Sequence, residues 1–211
     1  WSAACASSTR GIFAGGVTGS PGPLTLLNVI DYVTISSTGN AADFGDLLAI
    51  NYNNASCSSS TRGITAGGTT PSLTNTIQFI TIASTGNSND FGDLLSVGMN
   101  IGSCASSTRG LFGGAYTPST TNVIEFITIS STGNSADFGD LTVARSPSGS
   151  SCSSNSIRGI FAGGYSAPPA TWYNTIDYVT ISTLGNAVDF GDTSAAKAQF
   201  GSCSSSTRGV R

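Results

Sequence analysis

Arg158 to Asp192 reads RGIFAGGYSAPPATWYNTIDYVTISTLGNAVDFGD. Three further versions of this stretch precede it. The arginines that open the four versions are Arg10, Arg62, Arg109 and Arg158, a period of 52, 47 and 49 residues. The first aspartate of the closing Asp-Phe-Gly-Asp recurs at Asp43, Asp90, Asp137 and Asp189. A fixed period near 50 residues marks supersecondary units that repeat and bury their faces against one another. A fifth copy opens at Arg208. The chain therefore reads as one repeat domain, 1–211, with units at approximately 3–55, 56–101, 102–149 and 150–200 and a partial fifth at 201–211.

Each unit is expected to contain four short strands. The first is small and polar (Ala3 to Ser8, Ser56 to Ser60, Gly102 to Ser107, Ser150 to Ser154, Gly201 to Ser205). After a Thr-Arg turn, the second ends in two glycines, which points to positive φ or a close backbone approach. The third is rich in β-branched and aromatic residues, as in Val29 to Ile35, and is the clearest strand of each unit. Ser37 to Asn40 has turn chemistry, and a fourth strand follows from Asp43.

Composition excludes several functions. The chain has 211 residues, no His and a net charge of −3, so it lacks the basic footprint of a nucleic-acid binder. No run of 18 apolar residues occurs, so no membrane-spanning helix is expected. The chain opens on Trp1 without a basic, apolar leader, so any signal peptide is expected to have been removed or to lie outside these residues. Without His, a Ser-His-Asp triad is excluded. No zinc motif is present, and neither a metal nor a cofactor is expected. Asp-Phe-Gly is not the kinase motif here, because it recurs four times with no phosphate loop. Outside the Asp-Phe-Gly-Asp segments the acids are Asp31, Glu125 and Asp177, all at one strand-three position, which reads as packing rather than as a catalytic pair.

Eight of the eleven acids lie in the Asp-Phe-Gly-Asp segments, and five of the eight bases are the repeated arginine. Charges that recur once per unit predict charge pairs between Arg10, Arg62, Arg109 and Arg158 and Asp43, Asp90, Asp137 and Asp189. Asn40, Asp43 and Asp46 are expected to cap turns rather than hold Ca²⁺. The cysteines, Cys5, Cys57, Cys104, Cys152 and Cys203, share one repeat position, which suits buried thiols better than a disulfide scaffold. A disulfide between neighbouring units would need Cα atoms within about 7 Å.

The small first strand, the diglycine, the aromatic third strand and the polar fourth strand together resemble a kelch repeat. Unit four carries this best, in Ala144-Arg145-Ser146-Pro147, Ile160 to Tyr165 and Asn174 to Val179. Ser-Thr-Gly-Asn-x-x-Asp-Phe-Gly-Asp is also similar to divergent kelch-like repeats of bacteriophage and marine-virus structural proteins. The family's fourth-strand tryptophan is absent, and Phe44, Phe91, Phe138 and Phe190 are expected in its place. The resemblance implies an all-β, kelch-like β-propeller of four-stranded blades, four repeats plus the start of a fifth, with first strands innermost. It also implies small residues around a central channel. The copper centre of kelch-like oxidases needs histidines and does not carry over. Four units and an opening fifth suggest an excerpt of a longer chain, or a terminal strand that pairs with another subunit.

The turns between strands one and two and between three and four are nearly fixed. The other two connections vary, and in a propeller they emerge on one face. Loops on a rigid scaffold commonly carry function. The candidate binding residues are therefore Trp172 and Tyr173, then Tyr52, Tyr116 and Tyr165, since exposed aromatics stack on sugars or anchor proteins. Asn54-Ala55-Ser56 is a candidate N-glycosylation acceptor at Asn54. The expected role is non-enzymatic, in an extracellular, cell-surface or virion structural protein for surface display or adhesion, with a surface glycan or protein receptor as partner. The alternative is self-association as a filament subunit, joined by strand pairing through Gly201 to Arg211. A third reading is an enzyme domain whose catalytic residues lie in flanking sequence.

Overall fold

The computed structural model describes residues 2–19, 22–148 and 151–210. Ser20 and Pro21 of the first variable loop, Gly149, Ser150 at the expected start of unit four, and Arg211 lie outside them. Strands and turns make up the described residues, and no helix among them is long and apolar enough to cross a membrane. Unit one contributes β1 (Ala3–Ala6), β2 (Arg10–Thr18), β3 (Thr25–Thr34) and β4 (Ala42–Asp46). Unit two contributes β5 (Ala55–Ser58), β6 (Arg62–Ala66), a small hairpin β7 (Thr69–Thr70) and β8 (Ser72–Leu73), then β9 (Thr76–Thr81) and β10 (Asn89–Asp93). Unit three has β11 (Gly102–Ala105), β12 (Arg109–Tyr116), β13 (Thr120–Thr128) and β14 (Ala136–Asp140). Unit four has β15 (Cys152–Ser154), β16 (Arg158–Ala162), the hairpin β17 (Tyr165–Ser166) and β18 (Thr171–Trp172), then β19 (Thr175–Thr180) and β20 (Val188–Asp192). β21 (Cys203–Ser204) and β22 (Gly209–Val210) open the fifth copy. Each full unit is a four-stranded antiparallel sheet, with its strands in chain order.

Local chemistry explains why the same sheet forms four times. In unit one the Ser7 hydroxyl accepts from the Thr9 and Arg10 amides at 3.2 Å, closing the turn between strands one and two. Ser59, Ser106 and Ser205 repeat this arrangement. In unit four Asn155 Oδ1 takes the place of the hydroxyl, so Ile157 can stand where the others have Thr. The fourth strand carries a bulge. Asp31 pairs with Asp43 and Ile30 with Gly45, leaving Phe44 as the extra residue, and the glycine sits at φ 144°. The bulge turns Phe44 inward, where it is buried and meets Tyr32 edge-on at 5.8 Å. The diglycines adopt positive φ, as expected, at 66° and 110° for Gly15 and Gly16.

The core lies between sheets rather than within them. Each of its three clusters joins two consecutive units. The junctions are written by residues of both. The turn after β9 places Gly86 N against Phe44 O at 2.7 Å, and Asn87 Oδ1 accepts from Asp46 N at 3.0 Å. Asn134 and Asn186 repeat this for Asp93 and Asp140. Cys104 Sγ packs against Gly159 of the next unit, where a Cβ would overlap it, and Cys57 does the same against Gly110.

The repeated arginines depart from the expected charge pairs. Among the described residues the ion pair present is Arg145–Asp177, and none of Arg10, Arg62, Arg109 or Arg158 bonds Asp43, Asp90, Asp137 or Asp189. Instead, Arg10, Arg62 and Arg109 donate through Nη1 to the carbonyls of Ile82, Ile129 and Ile181 in the following unit, at 2.8, 2.9 and 3.0 Å. Each also lies over the strand-three ring of its own unit, Tyr32, Phe79 or Phe126, and Arg158 lies over Tyr178. A guanidinium satisfies a carbonyl and a ring face at once, and its partner therefore lies in the neighbouring backbone rather than in the acid count.

First strands gather around a channel. Their serines lash each to the one before: Ser56 and Ser58 donate to Ala4 and Ala6, Ser103 to Ser56, and Ser154 to Ala105, at 2.6–2.8 Å. Ser202 and Ser204 donate to the carbonyls of Cys152 and Ser154 in the same way, so the first strand of the opening fifth copy lies beside that of unit four. All five cysteines are free thiols, with Cys57, Cys104 and Cys152 buried and Cys203 exposed.

Candidate functional site

Glu125 and Asp177 sit inside the junctions, as does Gln78 at the same strand-three position, whereas Asp31 of unit one is only half-buried. Gln78 Oε1 accepts from Leu48 N and Ser88 Oγ, at 2.8 and 2.7 Å. Glu125 makes the equivalent bonds to Leu95 N and Ser135 Oγ, at 2.7 and 2.6 Å. Burial pushes the Glu125 carboxyl up from its ordinary value, and the nearby Asp137 charge adds to this, while the two bonds oppose it. In unit four Ala187 supplies no hydroxyl. Asp177 accepts instead from Thr142 N, Thr142 Oγ1 and Arg145 Nη1, the last at 2.8 Å, with both charged side chains fully buried. Arg145 also bonds the carbonyls of Gly163, Phe161 and Val143. These carboxylates therefore hold sheets together.

The two ends of the channel differ. One is bordered by the fixed serine turns at Ser7, Ser59 and Ser106. The other is bordered by the variable connections and widens into a cavity of about 530 Å³. Backbone bridges Tyr52↔Thr69, Met99↔Tyr116 and Ser146↔Tyr165 tie the connection that leaves each unit to the connection between strands two and three of the next, so both kinds lie at this end.

Three of the five candidate aromatics form a row here. Tyr116 stacks with Tyr165 at 6.4 Å between centroids, and Tyr165 meets Trp172 at 6.0 Å. Trp172 is 55 % exposed. Tyr173 stands beside the row, its hydroxyl 3.2 Å from that of Ser166. Tyr52 stands apart: its backbone bridges Thr69, and its ring joins none of these contacts. The row reaches the cavity through Asn100 Nδ2, which donates to the Tyr165 hydroxyl at 3.2 Å.

The cavity rim was not legible as a site. Asn53, Asn100, Ser148 and Gln199 hold left-handed backbone at φ 56°, 53°, 67° and 58°. Asn100 N bonds Asn53 O, and Ser148 N bonds Asn100 O, each at 3.0 Å, which stacks these residues around the mouth. Their identities vary, so no motif marks them. The available signal is position, each lying four residues before a repeated cysteine. Asn54, the glycosylation candidate, is 8 % exposed with its amide enclosed at the same mouth. An N-linked glycan would have to pull that side chain out of the fold, so the sequon is not an open acceptor.

No known family's sequence profile matches the chain, and no curated protein matches it. A solved structure titled "Structure of YjhT" is similar in fold. The TM-score is 0.74 at 9 % identity, covering 96 % of this chain and 73 % of that one.

Proposed function

We propose that the chain is a non-enzymatic, kelch-like β-propeller module for surface display or adhesion, and that it binds glycans at its variable end. Four consecutive four-stranded sheets, the gathering of their first strands around one channel, and the likeness in fold to YjhT support the propeller reading. The low charge and the Ser, Thr and Gly content suit an extracellular, cell-surface or virion setting. The observation that carries the binding role is the row Tyr116–Tyr165–Trp172, a partly exposed aromatic strip beside a polar cavity. Rings of this kind stack on sugar faces. A glycan array probed with the wild-type chain and with Tyr165→Ala/Trp172→Ala tests it. Retained glycans that are lost in the variant are expected; retention unchanged by the variant would refute the row as the binding surface.

Self-association is a second reading, favoured by one contrast. Phe44, Phe91 and Phe138 are each 2 % exposed beneath the next unit's turn, whereas Phe190 is 55 % exposed at the fourth strand of unit four. The complementary turn of unit one is uncovered: Ala41 is exposed, whereas Ser88, Ser135 and Ala187 at the same position are buried. Light scattering across a concentration series tests this. Assembly that Phe190→Asp abolishes supports it, and a monomer at every concentration removes it.

A further inference from the structure

The channel mouth holds polar groups that the fold leaves unused. Asn54 is 8 % exposed, and neither its Oδ1 nor its Nδ2 has a hydrogen-bond partner within the protein. Ser148 is 7 % exposed, and its hydroxyl is likewise unpartnered. Both border the cavity of about 530 Å³. Buried polar groups are nearly always paired, and one that is not calls for an explanation. Two at one cavity, on the first and third of the connections between units, share an explanation if the cavity receives a ligand.

The rim supports this. Left-handed backbone is unfavourable for non-glycine residues, above all for Ser and Gln, and such conformations cluster at ligand sites. Four of them occur here at one level: Asn53, Asn100, Ser148 and Gln199. The chemistry of the lining names the ligand class. Amides and hydroxyls dominate, Ala3 and Ala4 add small apolar patches, and no charged side chain contributes. An ion would lose hydration here with no opposite charge to replace it. A neutral ligand dense in hydroxyls would find a donor or acceptor for each. The volume lies within the range of about 300–1,000 Å³ usual for small-ligand sites.

We infer that the mouth is a binding site for a neutral polyhydroxylated ligand of one or two sugar rings, whose binding turns the enclosed Asn54 amide and Ser148 hydroxyl toward it as hydrogen-bond partners. This deepens the binding-module reading but does not depend on the aromatic row. The Asn100–Tyr165 bond makes the two surfaces continuous, so a longer glycan would run from Trp172 down to Asn54.

The test is calorimetry and ligand-observed NMR of the full chain with methyl pyranosides, cellobiose and lactose, and with methyl glucuronide as the charged control. Saturable binding of a neutral probe is expected, weakened at least tenfold by Asn54→Ala/Ser148→Ala. Trp172→Ala should change single-ring binding less than threefold, which separates this site from the aromatic row. Thermal melting supplies the second readout. Asn54→Ala removes an unpaired buried amide, so its Tm should equal or exceed that of the wild type. Absence of binding by every neutral probe, tighter binding of the glucuronide, equal binding by the double variant, or a sharp fall in Tm would each overturn the inference. Should the glycan array fail while a small neutral probe still binds, the aromatic-row reading falls and this one stands.

Discussion

Replacing Arg145 by Asn leaves the Asp177 carboxylate fully buried without its cation. The pair is closed by a bond of 2.8 Å with both side chains at 0 % exposure, and Arg145 also satisfies the carbonyls of Gly163 and Phe161 at 2.9 and 3.2 Å. Breaking a buried pair from one side costs about 3–5 kcal/mol, because the remaining charge keeps its desolvation penalty. For a chain of this length each kcal/mol shifts the Tm by about 2–4 °C, so Arg145→Asn should lower it by about 6–20 °C. The repeat supplies its own control. At the equivalent place between units one and two stand Asn51 and Gln78, a neutral solution: Asn51 Nδ2 bonds Gly67 O at 2.8 Å, and Gln78 accepts from Leu48 N. Arg145→Asn/Asp177→Gln transplants that pair and should recover most of the loss, a coupling of about 2–3 kcal/mol in a double-mutant cycle. Melting followed by circular dichroism reads all four proteins. A single variant that loses less than about 3 °C, or a double variant no more stable than the single, would refute the account of this junction.

Glu125→Gln tests the burial of the lone junction carboxylate. A carboxyl raised in the folded state contributes stability that is present below its unfolded pKa and lost as pH rises through its folded one, so the variant should gain Tm over the wild type as pH rises across that range. Phe138→Ala should cost about 3–5 kcal/mol by chemical denaturation, whereas Phe190→Ala, at the same motif position but exposed, should cost under about 1 kcal/mol. Gly159→Ala would place a Cβ against Cys104 Sγ and should destabilise by about 1–3 kcal/mol, with Cys104→Ala in the same chain relieving the overlap. Thiol titration should find Cys203 fast in the native chain and Cys5 slow, burial having pushed the Cys5 thiol up to about 12.

What was legible in the sequence follows the distance over which each contact acts. The strands, the serine turns and the diglycines are local, within a few residues of one another, and the repeat displays each of them four times. The all-β four-stranded sheets follow from these. The junctions are not local. Arg10 meets Ile82, and Asn87 meets Asp46, so both partners are visible only once the sheets are placed side by side. Arginines and aspartates that recur once per unit invited a charge pairing that geometry does not make. The variable loops singled out one end of the channel, where Tyr116, Tyr165 and Trp172 come together. They did not separate Tyr52 from that row, nor show Asn54 as enclosed, because burial at the mouth depends on three units meeting. The left-handed rim varies in identity, and backbone angle leaves no mark on composition when Asn, Ser and Gln can all be held there.

The shared authorship of each junction bears on how such a gene can change length. An in-register crossover that duplicates or excises one whole period joins a Phe-Gly-Asp segment to a Gly-Asn turn and a cysteine to its glycine, whichever copies recombine. Those contacts are interchangeable between copies. The acid of unit four is not, since its cation lies at the end of the preceding copy: Asp177 pairs with Arg145, where the other two copies carry Asn51 and Gly98. Excising 102–149 would set Gly98 opposite Asp177 and strand a buried carboxylate. One matched pair thus gives the fourth copy a memory of its neighbour and fixes its place among units that are otherwise alike.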